Sequence, residues 1–322
     1  MTASRNITLP FNRRVELLVW STLATDGKKP DNVARRFVSD GTREGFYITF
    51  DITRSAITFV GNVSIQVRNL NAETRSFLQQ GGLRVELRVG WENFPPQTIF
   101  LGSIMRSITA RQGPDWVTGL SCLSGRLAVL AGFWSITAPP GTRIKDLVVA
   151  AAQTFPGVSV DPNLVKIDPA KTVQQTATGA GLSVPKGRTD NILNRLSEQY
   201  SFTWRIDNEI FSADEKDGIF GNVMDIRDDD GLLISLSPQC TGYSQLLESV
   251  AITTLLIPTL YPGCGINLRS PSSPNLSGTW KLHTIRYTGS ANENQWHMRS
   301  DCFAYLSKQG RAVLIQNKSG WL

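Results

Sequence analysis

Between Leu83 and Trp91 the side chains alternate without a break. Leu83, Val85, Leu87, Val89 and Trp91 fall on one side, and Arg84, Glu86 and Arg88 on the other. A period of two fits a strand with one face on a core and one face polar. One such strand cannot stand alone, so neighbours must pair with it. The flanking sequence supplies them. Val63–Arg68 alternates in the same way. In 69–80 the period changes, with Leu70, Thr74, Phe77 and Leu78 on one helical face, Asn71 as N-cap and Gly81-Gly82 as the stop. After a turn expected at 93–96, a strand runs over 99–109, Gly113-Pro114 turns, and 116–123 returns. The stretch reads as strand, helix, long hairpin and strand.

The remaining chain divides around it. Strands are expected at 15–21 and 46–52, joined by a polar loop over 25–36. Pro139-Pro140-Gly141 breaks the β pattern, and Thr142 is the expected cap of a helix with Ile144, Leu147, Val148 and Ala151 on one face. A polar stretch over 166–186 reads as a loop with short strands. A second helix starts at Thr189, with Ile192, Leu193, Leu196 and Tyr200 on one face. A hairpin follows, 202–206 and 209–213, its turn at Asp207-Asn208. Residues 201–240 hold nine acidic and three basic residues, read as solvated loops. Calcium ligation is disfavoured there, because the acids around 225–230 do not alternate as a calcium loop requires and Leu236 stands where the closing carboxylate would be. Four strands then follow at 249–257, 264–269, 278–287 and 295–303. The fold class is mainly β with a small α+β insertion: a first β domain over 1–135, a mixed domain over 136–217 and a second β domain over 218–322.

Composition narrows function. The chain has 322 residues, 41% of them hydrophobic, enough for more than one core. The net charge of +6 is dispersed, and Arg13-Arg14, Lys28-Lys29 and Arg35-Arg36 are pairs rather than a stripe, which argues against a nucleic-acid-binding face. Cys122, Cys240, Cys264 and Cys302 lie in apolar surroundings with no Cys-x-x-Cys spacing and read as free buried thiols. Two histidines, His283 and His297, rule out a His-rich metal site. No segment has the length of a membrane span, and Glu16 interrupts the apolar run that follows Arg13-Arg14, so that region reads as a strand and not a signal peptide. Ser183 and Lys186 have Ser-x-x-Lys spacing without its partner motifs, and Gly179-Ala180-Gly181 lacks the third glycine of a dinucleotide fingerprint. No paired carboxylates face a sugar groove. No catalytic, cofactor-binding or metal-binding residue emerges, and the expectation is a protein without enzymatic activity.

The stretches 65–70 (I-x-V-x-N-L), 81–91 (GGLRVELRVGW), 99–104 and 122–125 resemble, in order and spacing, the first tube-type domain of baseplate hub proteins from contractile-tailed phages. The stretches 256–268, 278–289 and 294–302 are similar to the second such domain. The resemblance covers about 60% of the chain and implies two tube-type β-barrel domains flanking a small mixed domain. It implies a virion protein of the tail baseplate, assembled in the host cytoplasm, that forms a homotrimeric ring. Three chains with two wall segments each match a sixfold tube to a threefold spike and let DNA pass. The implied partners are further copies of itself, the tail tube protein, the central spike, the tape measure protein and the baseplate wedge or sheath-initiating proteins, with genomic DNA in transit only. The alternatives are the hub of a related contractile injection or type VI secretion machine, and a cell-wall-binding tail module. On either β reading, Arg84, Glu86, Arg88 and Arg106 are the candidates to meet a neighbouring subunit or a lumen.

Overall fold

Strict alternation becomes one large sheet. The computed structural model describes residues 12–21, 35–42, 44–56, 63–91, 94–175, 181–215, 218, 219, 221–239 and 249–304. Most of the loop expected at 25–36, Cys240, and Gly179 with Ala180 lie outside them. The first part forms β1 (Arg13–Ser21), β2 (Arg35–Ser39), β3 (Ile48–Ser55), β4 (Val63–Arg68), α1 (Ala72–Leu78), β5 (Leu83–Trp91), β6 (Phe94–Gln112) and β7 (Asp115–Leu123). The middle forms α2 (Arg126–Ala131), β8 (Phe133–Ala138), α3 (Ile144–Ala152), β9 (Ser159–Lys166), β10 (Leu182–Arg188), α4 (Thr189–Tyr200), β11 (Phe202–Asp207) and β12 (Ile210–Glu215). The last part forms β13 (Val223–Arg227), β14 (Leu233–Gln239), β15 (Ser249–Leu255), β16 (Gly265–Arg269), β17 (Gly278–Ser290) and β18 (Trp296–Ala304).

Local chemistry explains the elements the sequence marked. Asn71 caps α1, its side chain accepting from Thr74 N–H at 2.8 Å, and Thr74 and Leu78 are buried beneath it. Leu83, Val85, Leu87 and Val89 are all buried in the core, as their period requires. α4 begins at Thr189 and buries Ile192, Leu193 and Leu196.

Two flanking β parts are present, and they share one sheet and one core. The order is β14-β15-β18-β17-β3-β4-β7-β6-β5-β1-β2, with β16 beside the first half of β17 and β13 beside β16. The joint is antiparallel pairing of β3 with β17, from Ser55 opposite Thr284 to Thr49 opposite Ser290. A single hydrophobic core runs from Val15 in β1 to Cys302 in β18. The middle part keeps a separate core between Ala128 and Ala213, under the small sheets β10-β8 and β11-β12-β9.

The two parts repeat one another. Setting β2 aside, the first runs β3-β4-β7-β6-β5-β1 and the last runs β14-β15-β18-β17-β16-β13. Numbered from its own start, each is 2-3-6-5-4-1. Even the irregularity is shared. The β6–β7 register slips between Ile104 and Arg106, and the β17–β18 register between Leu282 and Thr284, each beside a buried cysteine: Ile104 faces Cys122 and Leu282 faces Cys302. A bulge bends a strand and raises its twist, so the same bend recurs in both parts. The repeats differ at one end, where β1 is antiparallel to β5 but β13 is parallel to β16.

Several expectations need correction. Pro95 and Pro96 stand inside β6 rather than in a turn; this end pairs only with β5, across an irregular register, where proline's missing donor is tolerated. The first residue outside α3 is Arg143, without a side-chain cap, and the Thr142 hydroxyl donates to Pro139 O at 2.7 Å instead. Asp207 pairs with Ile210, so the hairpin turn is Asn208-Glu209, with φ of 49° and 62°. Positive φ at both central residues is the demand of a tight hairpin turn, which asparagine tolerates. The acidic segment holds two strands, β13 and β14. Its carboxylates serve the fold: Asp228 accepts from Ser270 Oγ at 3.0 Å and Ser272 Oγ at 2.7 Å, and Asp229 pairs with Arg227 at 2.7 Å.

At the β3–β17 joint, Gly289 lies opposite Phe50, and a Cβ there would meet the Phe50 ring at 2.6 Å and Trp296 at 3.1 Å. The empty space lets Phe50 and Trp296 pack edge to face at 6.1 Å. Gly289→Ala should therefore cost about 1–3 kcal/mol by overpacking. Gly81→Ala, with nothing within 4 Å of the added carbon, should stay near wild type. Urea unfolding of both variants checks this, and equal midpoints would show that the joint tolerates the extra carbon.

Candidate functional site

Three of the four candidate residues are engaged within the chain. On the polar face of β1 and β5, Glu16 lies opposite Arg88. Glu16 is buried and accepts from Arg14 Nε at 2.9 Å and from Arg36 at 2.7 Å. Glu86 is also buried, accepting from Arg88 Nε at 2.6 Å and Thr98 Oγ1 at 2.6 Å. The face is a ladder of alternating, mutually paired charges rather than a free basic surface. Arg84 forms an ion pair with Glu209 of the middle part. Burial lowers the Arg84 pKa below the ordinary arginine value. Arg106 alone is exposed, just past the bulge in β6.

The partner of Arg84 belongs to a cluster that sequence reasoning missed. Asp207, Asn208 and Glu209, consecutive at the β11–β12 turn, reach three strands of the large sheet. Asp207 receives Arg54 Nε of β3 at 3.0 Å, Asn208 Oδ1 accepts from Leu101 N–H of β6 at 2.8 Å, and Glu209 pairs with Arg84 of β5. Arg54 also donates to Ile99 O at 3.2 Å. Asn208 thus satisfies the Leu101 N–H of β6, and Arg54, held by Asp207, satisfies the Ile99 carbonyl, before the β7 ladder begins at Ser103. Arg54 is buried, which by itself lowers its pKa. The Asp207 carboxylate, followed by Tyr287, overrides that and holds the guanidinium above its ordinary value. The only local signal in sequence was a polar turn, which reads equally well as a solvated hairpin.

The remaining titratable groups are set by burial. Cys122, Cys264 and Cys302 are free and buried. Burial pushes the Cys122 thiol up to about 12 and raises Cys264 and Cys302 as well, which keeps them protonated and weakly nucleophilic. Burial, then the nearby Lys281, lowers the His283 pKa. Among the described residues no group of His, Cys, Asp and Glu is arranged to hold a metal ion.

The clamp makes a direct prediction. Asp207→Ala leaves the Arg54 cation buried without its carboxylate, and should cost about 3–5 kcal/mol in chemical denaturation. A loss under about 1 kcal/mol would show that Arg54 is satisfied without Asp207.

No family model matches the sequence, and no curated protein does. Solved structures do match. A tail protein of prophage MuSo2 from Shewanella oneidensis superposes with a TM-score of 0.56 at 10% identity, over 89% of this chain and 96% of that one. The tail protein of Neisseria meningitidis MC58 gives 0.54 at 9% identity, over 91% and 97%. The E. coli c3393 protein, a type VI secretion component described as similar to the T4 phage tail proteins gp27 and gp5, gives 0.54 at 9% identity, over 81% and 74%. At these identities the likeness is one of fold, and the fold of this chain is the one those phage tail and secretion proteins share.

Proposed function

We propose that this chain is a structural hub of a phage tail, a ring-forming wall protein between the tail tube and the central spike. One observation carries the reading: the same six-strand order occurs twice, and the two copies are already joined edge to edge in one sheet. A chain built this way supplies two wall units. Three chains supply six, the number that fits a sixfold tube above and a threefold spike below. The likeness in fold to the two tail proteins supports the same reading. In it, the partners are other copies of the chain, the tube protein, the spike, the tape measure protein and the baseplate wedge or sheath-initiating proteins.

The chain does no chemistry in this role, and DNA only passes. Free cations would hold phosphates. Arg84, Arg88 and Arg286 are instead each paired with a carboxylate, Glu209, Glu86 and Asp51 respectively. Such paired arginines suit a wall better than a grip. The fold likeness to a type VI secretion component favours a second reading, the hub of a related injection machine. Electron microscopy of particles labelled with an antibody to this chain separates these readings. Label at the junction of tube and spike in a DNA-filled tailed particle is the expected result. Label along the tube or at the fibres, or particles without DNA, would contradict the phage-hub reading.

A further inference from the structure

Among the described residues the large sheet is open at β14, β2 and β13 and along part of β6, and the molecule contains its own example of how two of these edges are joined. The β5 ladder on β6 reaches Arg84 opposite Ser103, and beyond Ser103 no described strand lies on that side of β6. Among the described residues β14 pairs only with β15.

The internal repeat relates these edges to the joint. Ile104 corresponds to Leu282 through the shared slip, so 106–112 of β6 corresponds to 284–290 of β17. That stretch of β17 is where β3 pairs. Val63 faces Cys122 and Val250 faces Cys302, which makes β15 the counterpart of β4. Ile52 pairs with Val63 and Pro238 with Val250, which makes β14 the counterpart of β3. The open edge of β6 is therefore equivalent to the occupied edge of β17, and the strand equivalent to its occupant is the open strand β14.

Exposure agrees with an unfilled joint. Ile285 and Tyr287 of β17 are fully buried, whereas their counterparts Ser107 and Thr109 of β6 are only half-buried. In β3 both Phe50 and Ile52 are buried, whereas in β14 their counterparts Leu236 and Pro238 are half-buried and exposed. A nine-residue edge carrying the exposed apolar side chains Met105 and Ile108 and no proline is a pairing template, unlike the short β2, which carries Arg35 and Arg36.

We propose that β6 of one copy, over 108–112, pairs antiparallel with β14 of a second copy, repeating between copies the β3–β17 joint within each. This rests on the reading of the chain as a ring-forming wall protein and names the surfaces that close the ring. Carried over pair by pair, the register sets Ile108 against Gln239, Thr109 against Pro238, Ala110 against Ser237, Arg111 against Leu236 and Gln112 against Ser235. The intermolecular ladder has five pairs against the seven of the internal one, and Pro238 brings no N–H to it. Leu236 is smaller than its counterpart Phe50, which leaves room where Arg111 replaces Gly289. The contact is heterologous, so it runs head to tail, into a ring where the rotation closes, rather than making a twofold dimer.

The test is a register-specific cross-link in the full chain. Ala110→Cys and Ser237→Cys are placed together in a Cys240→Ser background, and the purified protein is oxidised. Directly opposed residues have Cβ atoms about 4.5–5.5 Å apart, close enough for a disulfide after slight adjustment. The expected result is covalent multimers on a non-reducing gel, with Ala110→Cys plus Ser235→Cys, slipped by two residues, linking roughly tenfold more slowly. Defined oligomers that never cross-link through the first pair would overturn the pairing and leave the ring reading standing. A chain that stays monomeric at every concentration would overturn both.

Discussion

Seven consecutive residue pairs between β3 and β17 hold the two β parts in one sheet. The rest of the structure hangs on that ladder. It places Arg54 opposite Ile285 and Thr288 opposite Asp51, and it brings Phe50 onto Trp296. Because the ladder is continuous, the apolar faces of both parts merge into one core and neither part exposes the edge that pairs there. The middle part is attached differently. Its own core is separate, and the polar clamp of Asp207, Asn208 and Glu209 ties it to the sheet. A polar seam between two cores permits relative movement far more readily than a merged core does.

How much of this was legible in the sequence depends on the distance over which each signal acts. Leu83, Val85, Leu87 and Val89 declared their face by period alone, and the N-cap at Asn71 and the start of α4 at Thr189 followed from short-range rules. Short or interrupted strands were lost. β13 and β14 were masked by Asp225 and Asp228 to Asp230, although Ile226 is fully buried, and β9 is broken by Pro162. The strand order lay beyond reach, because β3 meets β17 across most of the chain. The site was read halfway. Arg84 was marked as a residue that meets something, but its partner Glu209 comes from the middle part of the same chain, and no local pattern points from one to the other. Arg54 sat unnoticed two residues past the strand expected at 46–52, in phase with the buried Ile48, Phe50 and Ile52.

The repeat turns a fold into a mechanism of assembly. In the proposed role a wall must have no edges, and a single chain with β6 open past Ser103 and β14 open on one side cannot meet that demand by itself. It already meets it once, internally, with matched bulges that give each repeat the same bend. If every joint in the ring is alike, the number of wall units is even and the chain count is half of it, so a ring of few chains can present a higher pseudosymmetry to the next component.

The most direct measurement of this account is a cryo-electron microscopy reconstruction of the assembled ring, processed without imposed symmetry. The account predicts three copies forming six near-equivalent wall units, with the β6–β14 joint between copies superposing on the β3–β17 joint within them. A reconstruction in which copies meet through other surfaces, leaving both edges facing solvent, would contradict it.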